Sequence, residues 1–362
     1  MALFKFGTSN TSLGIDIGTS AVKVVQLKKT PSGPELTGYA FAPIPPGAVE
    51  EGQIRDAASI SGVIKEMLKT AKIKPDRTFA SISGQNVIMR FTKLPIMTDE
   101  ELEQTVRIEA EQYVPYAIDE VSITFAKLTE LAEEEGGGKY SILLVVAQKE
   151  LVESYLSVLK QSGISAEVID VDTIAALNAL ENSINQTANS QEGGEVVAII
   201  DSGARTTNIS VLKSGVLMFT RNIPIAGNNI TQMLMNVMKQ EFDQAENIKI
   251  SEAEVTISDS GGSEISEVVK TTVEELASEI RRSFDYFKAQ SREPLIHRIV
   301  LSGGSSNLNN FNTYLSNELG VDVYMGNPLE GLTVTAPDTE SLYNNLQQFT
   351  VAIGLALRGV ME

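Results

Sequence analysis

A chain of 362 residues, 42% of them hydrophobic, has material for two cores of ordinary domain size. Its formal net charge of -18 argues against a partner held through a nucleic-acid backbone, or against an anionic lipid surface bound by charge alone. Cysteine is absent and His297 is the single histidine, which excludes disulfides, thiol chemistry, iron–sulfur clusters and multi-histidine metal sites.

No stretch approaches the roughly 20 apolar residues of a membrane span, and the opening MALFKFG is short for a secretory signal, so a cytosolic soluble protein is expected. LGIDIGTSAVKVVQL, residues 13–27, reads as strand, turn, strand. Leu13, Ile15 and Ile17 alternate with Gly14, Asp16 and Gly18, and a valine-rich run follows. Residues 32–52 are rich in turn formers. Over 57–72 the residues Ile60, Val63, Ile64, Met67 and Leu68 make one helical stripe. FASISGQNVIMRFTKLP, starting at Phe79, reads as strand, turn, strand. Thr98 with Glu101 forms a capping box, and Leu102, Val106, Ala110 and Tyr113 follow on one helical face until Pro115 ends the run. VSITFAKL and YSILLVVAQ are strands flanking LAEEEGGG, a hairpin loop. A helix over 150–161 and the strand Ala166–Val171 close this part, so 79–165 reads as an inserted α+β module.

NQTANSQEGGE is a polar loop, after which VVAIIDSGARTTNISVL repeats the strand–turn–strand pattern. A methionine-rich helix is expected over 229–242. A long packing helix is expected over 264–290, with Ile265, Val269, Val273, Leu276, Ile280, Phe284 and Phe287 spaced by three and four, and Pro294 stops it. RIVLSGGSSNLNNFNTYLSNELGVDVYMGNP reads as strand, glycine turn, helix, strand. The last helix is expected over 346–357, ending at Arg358-Gly359.

The two strand–turn–strand segments superpose. Asp16-x-Gly18 with Lys23 lies over Asp201-x-Gly203 with Asn208, at an offset of 185 residues. Glycine and small hydroxyl residues let backbone N–H groups approach an anion, and Lys23 adds a compact positive charge. Two carboxylates would repel a bare phosphate, so Asp16 and Asp201 make sense around a hydrated magnesium ion. Leu301-Ser302-Gly303-Gly304-Ser305-Ser306, a strand running into glycines and a helix start, leaves room for a flat ring or ribose against the backbone.

These three segments, in this order, resemble the actin, sugar kinase and heat-shock chaperone superfamily. The inserted module is similar to that of the cell-division protein FtsA and of its pilus relatives. EAEQYVPYAIDEVSITF (Glu109 to Phe125) and FTVAIGLALRG (Phe349 to Gly359) resemble the PilM family of type IV pilus assembly proteins. The resemblance implies an α/β, actin-like (duplicated ribonuclease H-like) fold with an FtsA-type small α+β inserted domain. The first subdomain would take 1–78, 166–192 and the C-terminal helix 341–362, and the module 79–165. The second subdomain would take 193–226 and 296–340, with a lid at 227–295.

It also implies a site for ATP with Mg2+. Asp16, Gly18, Thr19, Ser20 and Lys23 would form the first phosphate loop, and Asp201, Gly203, Thr206 and Thr207 the second. Gly303, Gly304 and Ser305 would hold adenosine. Glu246 and Lys249 match a Glu-x-x-Lys pair aimed at ribose and adenine, or else an ordinary i,i+3 surface pair. Gly227 would lie near the nucleotide. Magnesium would sit through water between Asp16 and Asp201. For hydrolysis the candidate base is Asp172, with Asp170 beside it. The alternative for Asp172 is helix capping, since Asp is a favoured cap residue.

The implied partner is the N-terminal cytoplasmic tail of PilN, with other pilus platform proteins and membrane recruitment through those partners. Phe91, Leu94, Pro95, Val114 and Pro115 are the candidate peptide contacts, or alternatively module core. An FtsA-like membrane tether would need an amphipathic C-terminal helix, which the ending Val360-Met361-Glu362 does not supply. A kinase of this superfamily would need a sugar-binding motif, and none is apparent. Homo-oligomer or filament formation stays open.

Overall fold

The computed structural model describes residues 10–83, 87–131, 138–185, 194–255, 263–291, 293 and 295–361. The hairpin loop after Leu131, the polar loop after Asn185 and Pro294 lie outside the described residues. In chain order the elements are β1 (Thr11–Ile17), β2 (Ala21–Thr30), β3 (Gly33–Pro43), β4 (Val49–Glu50), β5 (Gln53–Ile54), α1 (Ala57–Thr70) and β6 (Arg77–Ile82). Then come β7 (Val87–Pro95), α2 (Asp99–Glu111), β8 (Val121–Leu131), β9 (Lys139–Gln148), α3 (Lys149–Gln161), β10 (Ala166–Val171) and α4 (Asp172–Asn185). The next group is β11 (Val196–Ser202), β12 (Thr207–Lys213), β13 (Val216–Ile223), α5 (Gly227–Met238), α6 (Phe242–Glu252) and α7 (Glu264–Ser291). The chain closes with β14 (Arg298–Ser302), α8 (Phe311–Leu319), β15 (Asp322–Met325), β16 (Thr333–Val334), α9 (Thr339–Asn344) and α10 (Thr350–Met361).

The sequence repeat is a fold repeat. One sheet runs β10-β6-β1-β2-β3-β16 and another β13-β12-β11-β14-β15. In each, an antiparallel meander of three strands is followed by two strands joined in parallel, β6 and β10 in one, β14 and β15 in the other. Parallel strands need crossover segments, and α1 between β3 and β6 and the helices between β13 and β14 are those segments.

The chain divides into two compact units: Met1–Ile82, Ser154–Ser183 and Asn327–Glu362; and Ser83–Glu153 with Ile184–Gly326. In the first, α10 is apolar nearly all round and nearly every residue of it is buried. It lies so close to β1 that a Cβ on Gly14 would sit 2.0 Å from the Ala352 carbonyl oxygen, and so close to α4 that one on Gly354 would sit 1.7 Å from the Ala175 carbonyl oxygen. Arg358 then pairs with Asp170 at the end of β10. In the second unit, α7 lays Val269, Val273, Leu276, Ile280, Phe284 and Phe287 into the core of the five-stranded sheet, as its period requires. The sheet β7-β9-β8 has its own core, where Leu102, Val106 and Ala110 of α2 meet Leu94, Ile142, Leu144 and Val146. The Thr98–Glu101 capping box forms in both directions.

Several boundaries differ from the sequence reading. Residues 33–43 form a full strand, because Gly33, Pro34, Gly38 and Pro43 obscure its alternation without blocking its pairing to β2. Phe79–Ile82 belongs to the six-stranded sheet, paired in parallel with β1 and β10, so the module's strand begins at Val87. Tyr155 on α3 donates to the Gly52 carbonyl (3.0 Å), and Asn327–Glu362, including β16, also falls in the first unit. The methionine-rich helix breaks at Lys239, whose φ of 55° ends α5 before α6 starts. α2 stops at Glu111, which leaves Tyr113 exposed and off the buried stripe. Residues 346–349 form a 3-10 turn, and α10 continues through Arg358-Gly359 to Met361.

Candidate functional site

The two duplicated hairpins close in the same way. Asp16 faces Lys23 across β1 and β2, and Asp201 faces Asn208 across β11 and β12. The Gly18 N–H donates to the Ala21 carbonyl and the Gly203 N–H to the Thr206 carbonyl, each at 3.0 Å. All four pairs of equivalent positions keep the 185-residue offset. In the first hairpin Lys23 Nζ lies 3.1 Å from Asp16 Oδ2, both side chains being largely buried. A Cβ on Gly18 would come within 2.8 Å of Lys23 Nζ, so only glycine leaves that ammonium its place beside the turn. Ser20, exposed at the turn, accepts from the Ile44 N–H through its carbonyl, and Thr19 is half-buried. Burial pushes the Tyr155 phenol well above its ordinary value, and the negative charges of Asp16 and Asp172 push it further the same way.

The second unit gathers most of the remaining candidates around the start of α5. The Gly227 N–H donates to the Gly203 carbonyl (3.2 Å), which also accepts from Ser305 Oγ (2.6 Å), and the Asn228 N–H donates to the Ala204 carbonyl (2.6 Å). Lys249 Nζ reaches Glu246 Oε2 (2.7 Å), Thr231 Oγ1 (3.0 Å) and the Gly227 carbonyl (3.2 Å), and Thr231 Oγ1 donates to Glu246 Oε2 (2.6 Å). Glu246 and Lys249 are thus no ordinary surface pair: they are half-buried and tied to the glycine that opens α5. A Cβ on Gly227 would meet Ser305 Oγ at 2.6 Å and Lys249 Nζ at 3.3 Å. Gly303 has φ 85°, and a Cβ there would meet the Ser202 carbonyl at 2.3 Å and Asp201 Oδ1 at 2.7 Å. Gly304 and Ser305 begin the 3-10 turn that follows. Below them a small apolar hollow is lined by Ile230, Leu276, Leu308 and Phe311.

Not every candidate is placed to meet a ligand. Thr207 is fully buried, with its hydroxyl on the Ile225 carbonyl (2.7 Å) and beside Ser202 Oγ (3.0 Å), so it braces the hairpin. Thr206 is half-buried and supplies the turn carbonyl. Asp170 is held by Arg358 and by the Val171 N–H. Asp172 is the first residue of α4 and accepts from the Thr173 N–H (2.7 Å), a position that favours a negative charge. Leu94 is buried in the module core and Val114 packs against that core, while Pro95 and Pro115 are exposed. Phe91, three residues before Leu94 on an unbulged strand, points to the opposite sheet face. Thr231 escaped the sequence reading. Its only signal was a polar residue one helical turn after Gly227, on a face otherwise holding Ile230 and Leu234.

Residues 14–360 match the family described as type IV pilus assembly protein PilM. The chain belongs to the PilM family. Among solved structures, a PilM-PilN type IV pilus biogenesis complex contains a chain 31% identical to this one, with a TM-score of 0.85 over 96% of this chain and 98% of that one. The cell division protein FtsA of Bacillus subtilis is 23% identical over 266 residues, 66% of this chain and 57% of FtsA. The chain spans about half the length of the curated FtsA relatives it matches. MreB5 of Spiroplasma citri bound to ADP, 12% identical with a TM-score of 0.51 over 96% of this chain and 95% of that one, shares the fold. The fold class is therefore the expected one, actin-like α/β with a duplicated sheet and a small α+β module like that of FtsA. The family is described as one of type IV pilus assembly proteins. No helix among the described residues is long and apolar enough to cross a membrane.

Proposed function

We propose that this PilM-family chain is an ATP-binding adaptor of the pilus assembly platform, and that its nucleotide-bound form holds the N-terminal cytoplasmic tail of a PilN protein. The observation that carries the nucleotide half is the convergence of Gly203, Gly227, Glu246, Lys249 and Ser305 at the start of α5. Gly227 and Gly303, whose Cβ atoms would collide with polar neighbours, leave backbone and charged groups open to a flat, anionic ligand. Gly303, Gly304 and Ser305 would face the adenosine, with Glu246 and Lys249 toward ribose and base. In the first hairpin Asp16, Gly18, Thr19, Ser20 and Lys23, and in the second, taken by itself, Asp201, Gly203 and Thr206, are the groups assigned to phosphate.

Magnesium fits the donor chemistry. Asp16 and Asp201 offer hard carboxylate oxygens, and the described residues hold no group of three or more acidic or histidine side chains that would cage an ion unaided. Mg2+ is ordinarily held in that way, by one or two carboxylates, waters and substrate phosphates. It would neutralise phosphate charge. Asp172, at the first position of α4, is the carboxylate assigned to orient a water in a slow turnover.

The partner half rests on the likeness to the chain in the PilM-PilN complex. Phe91, half-buried on the sheet face opposite the module core, is the contact assigned to the peptide. Recruitment to the cytoplasmic face of the inner membrane then follows from the partner. The test is calorimetry of the full chain with Mg-ATP, and separately with a peptide of the PilN N-terminus, with and without nucleotide. Binding of both, with the peptide tighter in the presence of ATP, is expected. Absence of nucleotide binding at millimolar concentration would defeat the reading.

A further inference from the structure

The duplicated hairpins differ in where they carry positive charge. In β1–β2 the cation is Lys23, facing Asp16 from the strand. In β11–β12 the equivalent position is Asn208, whose Oδ1 accepts from Asn222 Nδ2 (2.7 Å), so that side chain bonds to the neighbouring strand. The second hairpin instead carries Arg205, exposed between Gly203 and Thr206, at the position equivalent to Ser20.

The turn is oriented firmly. The Gly203 and Ala204 carbonyls both point toward the start of α5, where Gly227, Asn228 and Ser305 donate to them. All described peptides are trans. In a trans peptide the N–H points away from its carbonyl, so the Ala204 and Arg205 N–H groups are turned away from α5. Successive N–H groups on one side of a turn make an anion-binding concavity, and Arg205 stands at its rim. The Gly203 carbonyl ties this turn to Gly227 and Ser305, the groups assigned to the adenosine, so the concavity adjoins the proposed nucleotide site.

We propose that Arg205 binds the terminal phosphate of a nucleoside triphosphate and makes the site prefer the triphosphate over the diphosphate. This rests on the nucleotide-binding reading given above. A guanidinium suits the task better than an ammonium because its planar fork takes two phosphate oxygens at once.

The experiment is calorimetric titration of the full chain, wild type, Arg205→Ala and Arg205→Lys, with Mg-ATP and with Mg-ADP. Loss of one charge-assisted contact corresponds to about a tenfold or greater weakening. Arg205→Ala is expected to bind Mg-ATP about tenfold more weakly while its Mg-ADP affinity changes less than about twofold, and Arg205→Lys is expected to fall between. An ATP-to-ADP preference unchanged in Arg205→Ala, or both affinities falling together, would overturn the role of Arg205 and leave nucleotide binding standing. A wild-type chain that takes up neither nucleotide would overturn the underlying reading as well.

Discussion

Lys23 and Asp16 face each other across β1 and β2 with Nζ 3.1 Å from Oδ2, and both side chains are close to nine-tenths buried. An ion pair so nearly removed from water loses far more when one partner is deleted than when both are, because the survivor is left buried and uncompensated. Lys23→Ala should therefore lower unfolding stability by about 3 kcal/mol. Lys23→Ala with Asp16→Ala should recover part of that loss. Urea unfolding of the two variants measures it, and a double variant no more stable than Lys23→Ala would mean that the surviving Asp16 carboxylate is not left uncompensated. On the nucleotide reading both variants also lose Mg-ATP affinity in calorimetry.

Gly354 tests the packing of α10. An exposed helical Gly→Ala change ordinarily stabilises by about 1 kcal/mol. Here the added methyl would sit 1.7 Å from the Ala175 carbonyl oxygen, which belongs to helix backbone and cannot swing aside. Gly354→Ala should destabilise by about 3 kcal/mol, reversing the usual sign. A rise in the urea midpoint would show that α10 stands off α4.

Gly227 separates site from scaffold. A methyl there meets Ser305 Oγ and Lys249 Nζ, both ends of movable side chains, so the fold should yield at small cost. The displaced groups are those assigned to the nucleotide. Gly227→Ala should cost about tenfold or more in Mg-ATP affinity, with stability changed by about 1 kcal/mol or less. Calorimetry and urea unfolding on the same preparation check the two halves.

How much of this was legible follows from where each residue's partner lies. The hairpins and their repeat were readable because period-two alternation and Asp-x-Gly are local signals. Gly227, Glu246 and Lys249 were named from a motif, yet nothing local showed that Thr231 joins them. Thr207 and Asp170 looked available because Ile225 and Arg358, which engage them, are remote in sequence. β3 was hidden by its glycines and prolines, and the break at Lys239 by a left-handed residue that is not glycine. β6 and β7 read as one continuous strand pattern, and only their pairing shows that they belong to different sheets.

Arg77 and Glu167 give a pH-dependent prediction. Arg77 holds Glu167 through Nε (2.9 Å) and Nη2 (2.7 Å), donates to the Gly359 carbonyl (2.8 Å), and keeps the carboxyl below its ordinary 4.5. A depressed carboxyl contributes stability above its unfolded value and loses it as pH falls through the folded one. The pair is partly exposed, so Glu167→Gln should cost at most about 1 kcal/mol at neutral pH. The difference from wild type should shrink as the pH falls below 4.5. Urea unfolding of both chains at neutral and acidic pH tests this, and a difference that grew on acidification would reverse the assigned sign.

Phe91 and Leu94 point to opposite faces of the three-stranded sheet, so the two should fail differently. Leu94 is 4% exposed among Leu102, Val106 and Ile142. Leu94→Ala leaves a cavity and should destabilise by about 2–4 kcal/mol, lowering peptide affinity only as far as the module unfolds. Phe91, half-buried on the other face and opposite Leu143, loses less stability on truncation. If the PilN tail docks on that face, Phe91→Ala should weaken the peptide by about tenfold or more, as an aromatic anchor does, and leave Mg-ATP binding unchanged. Peptide titrations at a temperature where both variants are folded separate the two effects. Wild-type affinity in Phe91→Ala would move the docking face elsewhere on the chain.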